Sequence, residues 1–165
     1  MAVDIRAYRA SDWDAICRIH DASRLVELKL AGLEDAFVPL HVAAEREGLL
    51  DYPGLYVFVE DGVVAGFVAC TPEELAWLYV DPARRRKGIG RQLARFALRQ
   101  FPHIHSIEVL TGNEPARSLY VSLGFETVET VRGRMPGNED FTVEVWLMER
   151  RRTPLQNVEM ADRPS

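Results

Sequence analysis

The run Leu78-Tyr79-Val80-Asp81-Pro82-Ala83-Arg84-Arg85-Arg86-Lys87-Gly88-Ile89-Gly90 constrains this chain most. An apolar, strand-like segment stops at Asp81-Pro82. A basic loop with two glycines follows, and the pattern then predicts an amphipathic helix from about Ile89 to Gln100. Strand, glycine turn and helix start together make an anion-binding device. The first N–H groups of a helix have no intrahelical partner, and the helix dipole places partial positive charge there. Gly88 and Gly90 let the backbone approach a phosphate closely. Arg84, Arg85, Arg86, Lys87 and Arg91 crowd the same turn, in a chain of net charge −5. The alternative is a glycine turn with a solvated basic edge.

The glycine spacing excludes the commoner phosphate loops. Nothing matches G-x-x-x-x-G-K-[ST], and Leu93 stands where a dinucleotide fingerprint needs its third glycine or alanine. What remains is Arg85-x-x-Gly88-x-Gly90. Further on lies Asn113-Glu114-Pro115-Ala116-Arg117-Ser118-Leu119-Tyr120-Val121-Ser122-Leu123-Gly124-Phe125. Asn113 suits an N-cap, Pro115 a first turn and Gly124 a helix stop. Asn113, Ala116 and Tyr120 then share one helix face. Tyr120 alone also reads as an amphipathic core residue. Upstream, Glu74-Leu75-Ala76-Trp77-Leu78-Tyr79-Val80 reads as a strand with Glu74, Ala76, Leu78 and Val80 on one face. Glu73 and Glu74 also read as solvated loop acids after Pro72.

These three segments resemble the R/Q-x-x-G-x-G/A loop, the N-x-x-A-x-x-x-Y-x-x-x-G-F helix and the E-x-x-x-L-x-V strand of the GNAT family, the Gcn5-related N-acetyltransferases. The resemblance implies an α/β fold of the α+β type, a central mixed, mostly antiparallel sheet of about seven strands flanked by about four helices. It implies acetyl-CoA as co-substrate, with no metal. The pyrophosphate would be held at Arg85, Arg86, Lys87, Gly88, Ile89, Gly90 and Arg91. The pantetheine arm would pair with the backbone of Leu78, Tyr79 and Val80, at a strand that splays from its neighbour, and Asn113 and Ala116 would complete the cofactor site. Glu74, directly or through water, would be the general base and Tyr120 the acid. Direct transfer to an amine in a ternary complex is implied. A non-catalytic coenzyme A-binding module and transfer of another acyl group are the alternatives.

The rest of the chain fits this order. Val3 to Tyr8 reads as a strand, and Ser11 as the cap of a helix to about Leu28, with Trp13, Ile16, Cys17, Ile19 and His20 inward. A helical or irregular segment covers Lys29 to Leu50. Leu55–Glu60 and Val63–Cys70 flank Asp61-Gly62, a strong hairpin signal. His105–Leu110 is a further strand. Phe125–Arg132 and Phe141–Met148 are the last two, joined by a Gly-, Pro- and Asn-rich connection from Gly133 to Asp140. We expect one domain over 1–150 and a polar tail over 151–165.

No apolar run approaches the ~18 residues of a membrane span, and Met1 to Arg6 lacks the apolar core of a signal peptide. A cytoplasmic protein is expected, acting on a small-molecule or peptide amine, with no membrane or nucleic-acid partner given the acidic balance, and with a homodimer left open. Cys17 and Cys70 read as buried thiols in a reducing compartment. His103-x-His105 lacks the further ligands of a metal site. His20 and His41 fall where an acceptor pocket would be lined. Glu27, Glu34, Asp35, Glu45 and Glu47 make that segment acidic, suiting a cationic amine or simply a solvated helix face.

Overall fold

The computed structural model describes residues 2–85 and 87–151. Arg86 and the expected tail beyond Arg151 lie outside the described residues. The chain runs β1 (Val3–Ala7), α1 (Trp13–Ala31), α2 (Leu40–Glu47), β2 (Gly54–Glu60), β3 (Val63–Cys70), β4 (Leu75–Val80), α3 (Ile89–Gln100), β5 (Ser106–Leu110), α4 (Glu114–Ser122), β6 (Glu126–Met135) and β7 (Asn138–Glu149). Among the described residues there are thus seven strands and four α-helices, as the resemblance implied.

The strands divide into two antiparallel sheets, ordered β1-β2-β3-β4 and β5-β7-β6. Between them lies a seam of one parallel bridge, Glu74 to Ser106. His105 and Ser106 both donate to the Glu73 carbonyl, at 2.9 and 3.3 Å. Beyond that joint β4 and β5 make no ladder, so they diverge toward their C-terminal ends. The divergence opens the slot on which the site depends.

Two cores lie on opposite faces of the first sheet. On one, α3 and α4 cover Phe58, Val68, Leu75, Leu93, Ile107, Val109, Tyr120 and Phe125. On the other, α1 and α2 cover Val57, Phe67, Ala69 and Trp77 with Ile16, Ile19 and Leu40. A smaller cluster of Leu28, Leu110, Met135 and Val143 seals the end of α1 against the second sheet.

Four expectations need correction. Ser11 does not cap α1; buried Asp12 organises its start. Its Oδ2 accepts the Arg9 N–H at 2.8 Å, and both its oxygens hold the Arg6 guanidinium at 2.8 and 2.9 Å. The helix runs three residues past Leu28, to Ala31. The connection between the last two strands is two residues, not eight. Both strands continue to Pro136-Gly137, which occupy the central positions of a tight turn with Gly137 at φ 74°. Proline then glycine with positive φ is the pairing a type II turn demands, and the flanking polar residues simply form an exposed ladder.

The fourth correction concerns β4. Its faces do not alternate cleanly, because Ala69 pairs with Trp77 while Cys70 pairs with Leu75, leaving Ala76 as a bulge. Leu75, Leu78 and Val80 therefore pack toward α3 and α4, whereas Ala76, Trp77 and Tyr79 pack toward α1 and α2. Strand pleating then places Glu74 with the Trp77 face rather than with Leu78 and Val80.

Candidate active site

The slot between β4 and β5 widens into a cleft of about 810 Å³. At one end stands the N-terminus of α3. Gly88 is its N-cap at φ 75°, in the left-handed region, and makes no side-chain cap. The first amides of α3 therefore stay open to a ligand. Arg84, Arg85 and Arg91 line the cleft there with Gly88, Ile89 and Gly90. Lys87 does not line it; its Nζ lies 4.0 Å from Glu60, which also accepts from Arg84 at 2.9 Å. Part of the loop's charge is thus drawn back onto the protein.

Along the slot, β4 offers backbone. The Asp81 N–H donates to Ala65 on β3 at 2.9 Å. Hydrogen-bonded and non-bonded pairs alternate in an antiparallel ladder, so Tyr79 also turns its N–H and C=O toward β3. Leu78 and Val80 turn theirs into the slot. Tyr79 contributes its side chain instead, on the opposite face.

Helix α4 closes the middle of the cleft. Asn113 is buried and caps it, its Oδ1 accepting the Ala116 N–H at 3.3 Å. Ala116 and Tyr120 follow on the face that lines the cleft. Tyr120 is buried, packs edge-on against Phe125 at 5.9 Å, and among the described residues no hydrogen bond engages its hydroxyl. Burial, reinforced by Glu27 and Tyr79, holds this phenol well above its ordinary 10, so it carries its proton at neutral pH.

On the α1 side lies a chamber that sequence reasoning only touched. Glu27 is its hub. Its Oε1 accepts from Arg24 and, at 3.3 Å, from the Tyr79 hydroxyl; its Oε2 accepts from Asn113 Nδ2 at 3.2 Å. One carboxylate thus joins α1, β4 and the cap of α4. His20 lines the same chamber, whereas His41 lies at a separate shallow depression beside Trp13 and Leu50. Glu47 reaches the wall from the end of α2, and Glu108 from β5. Burial raises Glu47 to about 7, with Arg24 opposing and Glu139 adding to the rise. Glu34, Asp35 and Glu45 stay exposed.

These residues had a signal. His20, Arg24 and Glu27 follow at i, i+4, i+7 along α1, and Glu47 extends the buried stripe Leu40, Ala43, Ala44 of α2. Glu108 lies between inward Ile107 and Val109, so strand alternation turns it to the chamber.

Glu74 lines the cleft at the closed end of the slot, with its N–H bonded to Thr71 Oγ1 at 3.0 Å. Desolvation and the like charge of Glu108 raise it above its ordinary 4.5. Glu73 does not line the cleft; its carbonyl holds the joint. Neither cysteine lines it either, and burial raises both thiols to about 11. Among the described residues no group of three or more His, Cys, Asp or Glu could hold a metal ion, and no helix is long and apolar enough to cross a membrane.

The fold recurs in solved acetyltransferases. Ard1 from Thermoplasma volcanium aligns with a TM-score of 0.67 at 21% identity, covering 91% of this chain and 97% of that one. The PaiA N-acetyltransferase from Thermoplasma acidophilum, solved in complex with coenzyme A, aligns at 0.64 and 18% identity over 92% of this chain and 99% of its own. Those likenesses speak to the fold. In sequence, the peptidyl-lysine N-acetyltransferase YiaC of Escherichia coli (strain K12) is 36% identical over 85 residues, 51% of this chain and 58% of YiaC. The match thus spans little more than half the length of that relative. A model of the Acetyltransferase (GNAT) family matches residues 13–125, and the chain belongs to that family.

Proposed function

We propose that the protein is an acetyl-CoA-dependent N-acetyltransferase that acetylates a primary amine by direct attack within a ternary complex. The observation that carries this is the slot between β4 and β5, with the open α3 amides at one end and the Tyr120 hydroxyl, unbonded among the described residues, along its wall. The chain's own groups fit coenzyme A. Amides at Gly88 to Arg91, with Arg85 and Arg91 beside them, suit a pyrophosphate. The outward N–H and C=O groups of Leu78 and Val80 suit the amides of a pantetheine arm, as in strand addition. Lys87, outside the cleft, serves the phosphate end by charge alone, and Arg86 is proposed for the same end from its place in the motif. The bound cofactor supplies an activated acetyl thioester.

The residues then divide the work. The Val80 N–H, in the slot, polarises the thioester carbonyl as charge develops on its oxygen. A lysine-like amine, with pKa near ~10.4, must shed a proton before it can attack. Glu74 accepts it, directly or through water, its proton affinity raised by desolvation and then by the like charge of Glu108 across the seam. Tyr120 returns a proton to the departing sulfur. The same burial that raises the phenol also raises the thiolate's affinity for a proton, so the transfer is not opposed by the large gap seen in water. Cysteines with raised thiols outside the cleft fit transfer without an acyl-enzyme.

The acceptor chamber, with Glu27, Glu47, Glu74 and Glu108 on its walls beside Trp77 and Tyr79, suits a cationic amine. YiaC is named for lysine side chains, and a lysyl peptide is the first acceptor to test. The test is release of free coenzyme A thiol from acetyl-CoA against a panel of lysyl peptides, free N-termini, amino acids and small amines. The reading expects thiol release that depends on an amine. Cofactor binding without thiol release from any amine would support a non-catalytic coenzyme A-binding module instead. Release from propionyl- or succinyl-CoA in preference to acetyl-CoA would reassign the acyl group.

A further inference from the structure

Resting on this acyl-transfer reading, we infer that His20, held by Asp21, accepts the proton that the acceptor nitrogen releases once it has attacked the thioester. An alkylammonium loses two protons on its way to an amide. The first leaves before attack and frees the lone pair. The second leaves from a nitrogen already bonded to the acetyl carbon, and its acceptor must stand on the α1 wall of the chamber, facing the slot.

His20 stands there. It lies on the inward face of α1, 2% exposed, and lines the cleft. Its ring meets Tyr79 edge-on at 4.9 Å and Trp77 at 5.9 Å, the two β4 side chains on the acceptor side of the slot. Its Nδ1 lies 2.9 Å from Asp21 Oδ1. A carboxylate can only accept, so Nδ1 carries the hydrogen and Nε2 keeps its lone pair. Asp21 Oδ1 also accepts the Leu40 N–H at 2.9 Å, so the first turn of α2 fixes the carboxylate from a second side. Among the described residues no hydrogen bond reaches Nε2. Nε2 is not among the fully buried unpaired side-chain atoms, so its lone pair is open to a substrate N–H entering the chamber.

The charged groups around the ring agree. Burial lowers His20 below its ordinary 6.5, opposed by Asp21 and Glu27 and aided by Arg24, and the neutral Tyr79 phenol faces it from β4. The imidazole is therefore neutral at neutral pH. A nitrogen carrying positive charge in a tetrahedral adduct is far more acidic than a free ammonium, so a weak, neutral base suffices. In the step, the N–C bond forms and the C–S bond breaks with its electron pair going to sulfur. Tyr120 protonates the sulfur, the nitrogen's proton passes to Nε2, and solvent carries a proton from the imidazolium back to the tyrosinate.

The test compares wild type, His20→Gln and Asp21→Asn by kcat, by KM for both substrates and by the pH dependence of kcat. In Asp21→Asn the amide oxygen can stand where Oδ1 accepts both the Nδ1 hydrogen and the Leu40 N–H, so the ring keeps its lone pair at Nε2 and loses only the negative charge behind it. His20→Gln is expected to lower kcat by about 10²-fold or more, and Asp21→Asn, which keeps the Nε2 lone pair, by about tenfold or less. They should leave the thermal shift given by acetyl-CoA unchanged, and His20→Gln should reduce the acid limb of kcat from two titrating groups, Glu74 and His20, to Glu74 alone. His20→Gln keeping kcat within about twofold of wild type, or losing kcat while its acid limb keeps the wild-type steepness, overturns the assignment. Wild type that binds acetyl-CoA but acetylates no amine overturns the acyl-transfer reading and this one with it.

Discussion

Glu47 shows how one side chain can be both a wall and a liability. It continues the buried stripe of α2, and its carboxylate packs against the Pro136-Gly137 turn. Burial raises it to about 7 from an ordinary 4.5. Between those values the folded chain holds a proton that the unfolded chain releases. Stability from this group is therefore fully present below pH 4.5 and is lost as pH rises through about 7. Asp12 and Asp81 act oppositely, since both are lowered from 3.8, and their contribution is lost only as pH falls below that value. The windows do not overlap. Urea unfolding across pH 4.5 to 7 should show Glu47→Gln losing less stability than wild type as pH rises, a difference in which the opposing contribution of His20, common to both, cancels. An unchanged slope would place the carboxylate in water rather than in the wall.

At the scale of elements, α4 matters most, because its cap and its catalytic candidate lie on one face. Asn113 accepts from Ala116 and donates to Glu27, so it fixes both the start of the helix and its tie to α1. Asn113→Ala should cost about 1 kcal/mol of stability, measured by urea unfolding. It should also lower kcat, since Tyr120 stands seven residues along the same face. A stability loss without any kinetic effect would mean the cap does not position Tyr120. This helix was legible in sequence because cap, proline, spacing and stop all agreed locally, and so was the loop into α3. The faces of β4 were not, because a bulge at Ala76 arises from pairing with β3, which no local pattern encodes. The β6–β7 turn was misread for a related reason. Its Gly, Pro and Asn content resembles a loop, yet only Pro136 and Gly137 leave the ladder. The chamber acids were visible as charges but not as walls. Burial of Glu27 and Glu47 depends on α1 and α2 lying over the slot, a contact between segments far apart in sequence.

At the scale of the molecule, two sheets meet at a single bridge, and the cleft lies where they part. A ligand that pairs with β4 and rests on α3 binds the folded chain alone. Acetyl-CoA at ~100 times its Kd should therefore add roughly 2.7 kcal/mol and raise Tm. No rise at saturating cofactor would remove the cofactor site. On the proposed reading, the phosphates would lie at α3, the thioester beside Val80 and Tyr120, and the amine would enter from the α1 side. The measurement that tests this most directly is amine-dependent thiol release by wild type and Tyr120→Phe at saturating acetyl-CoA. The arrangement predicts turnover by wild type and a 10²–10⁴-fold slower rate in the variant with its acetyl-CoA binding intact. Equal rates in the two proteins would contradict it.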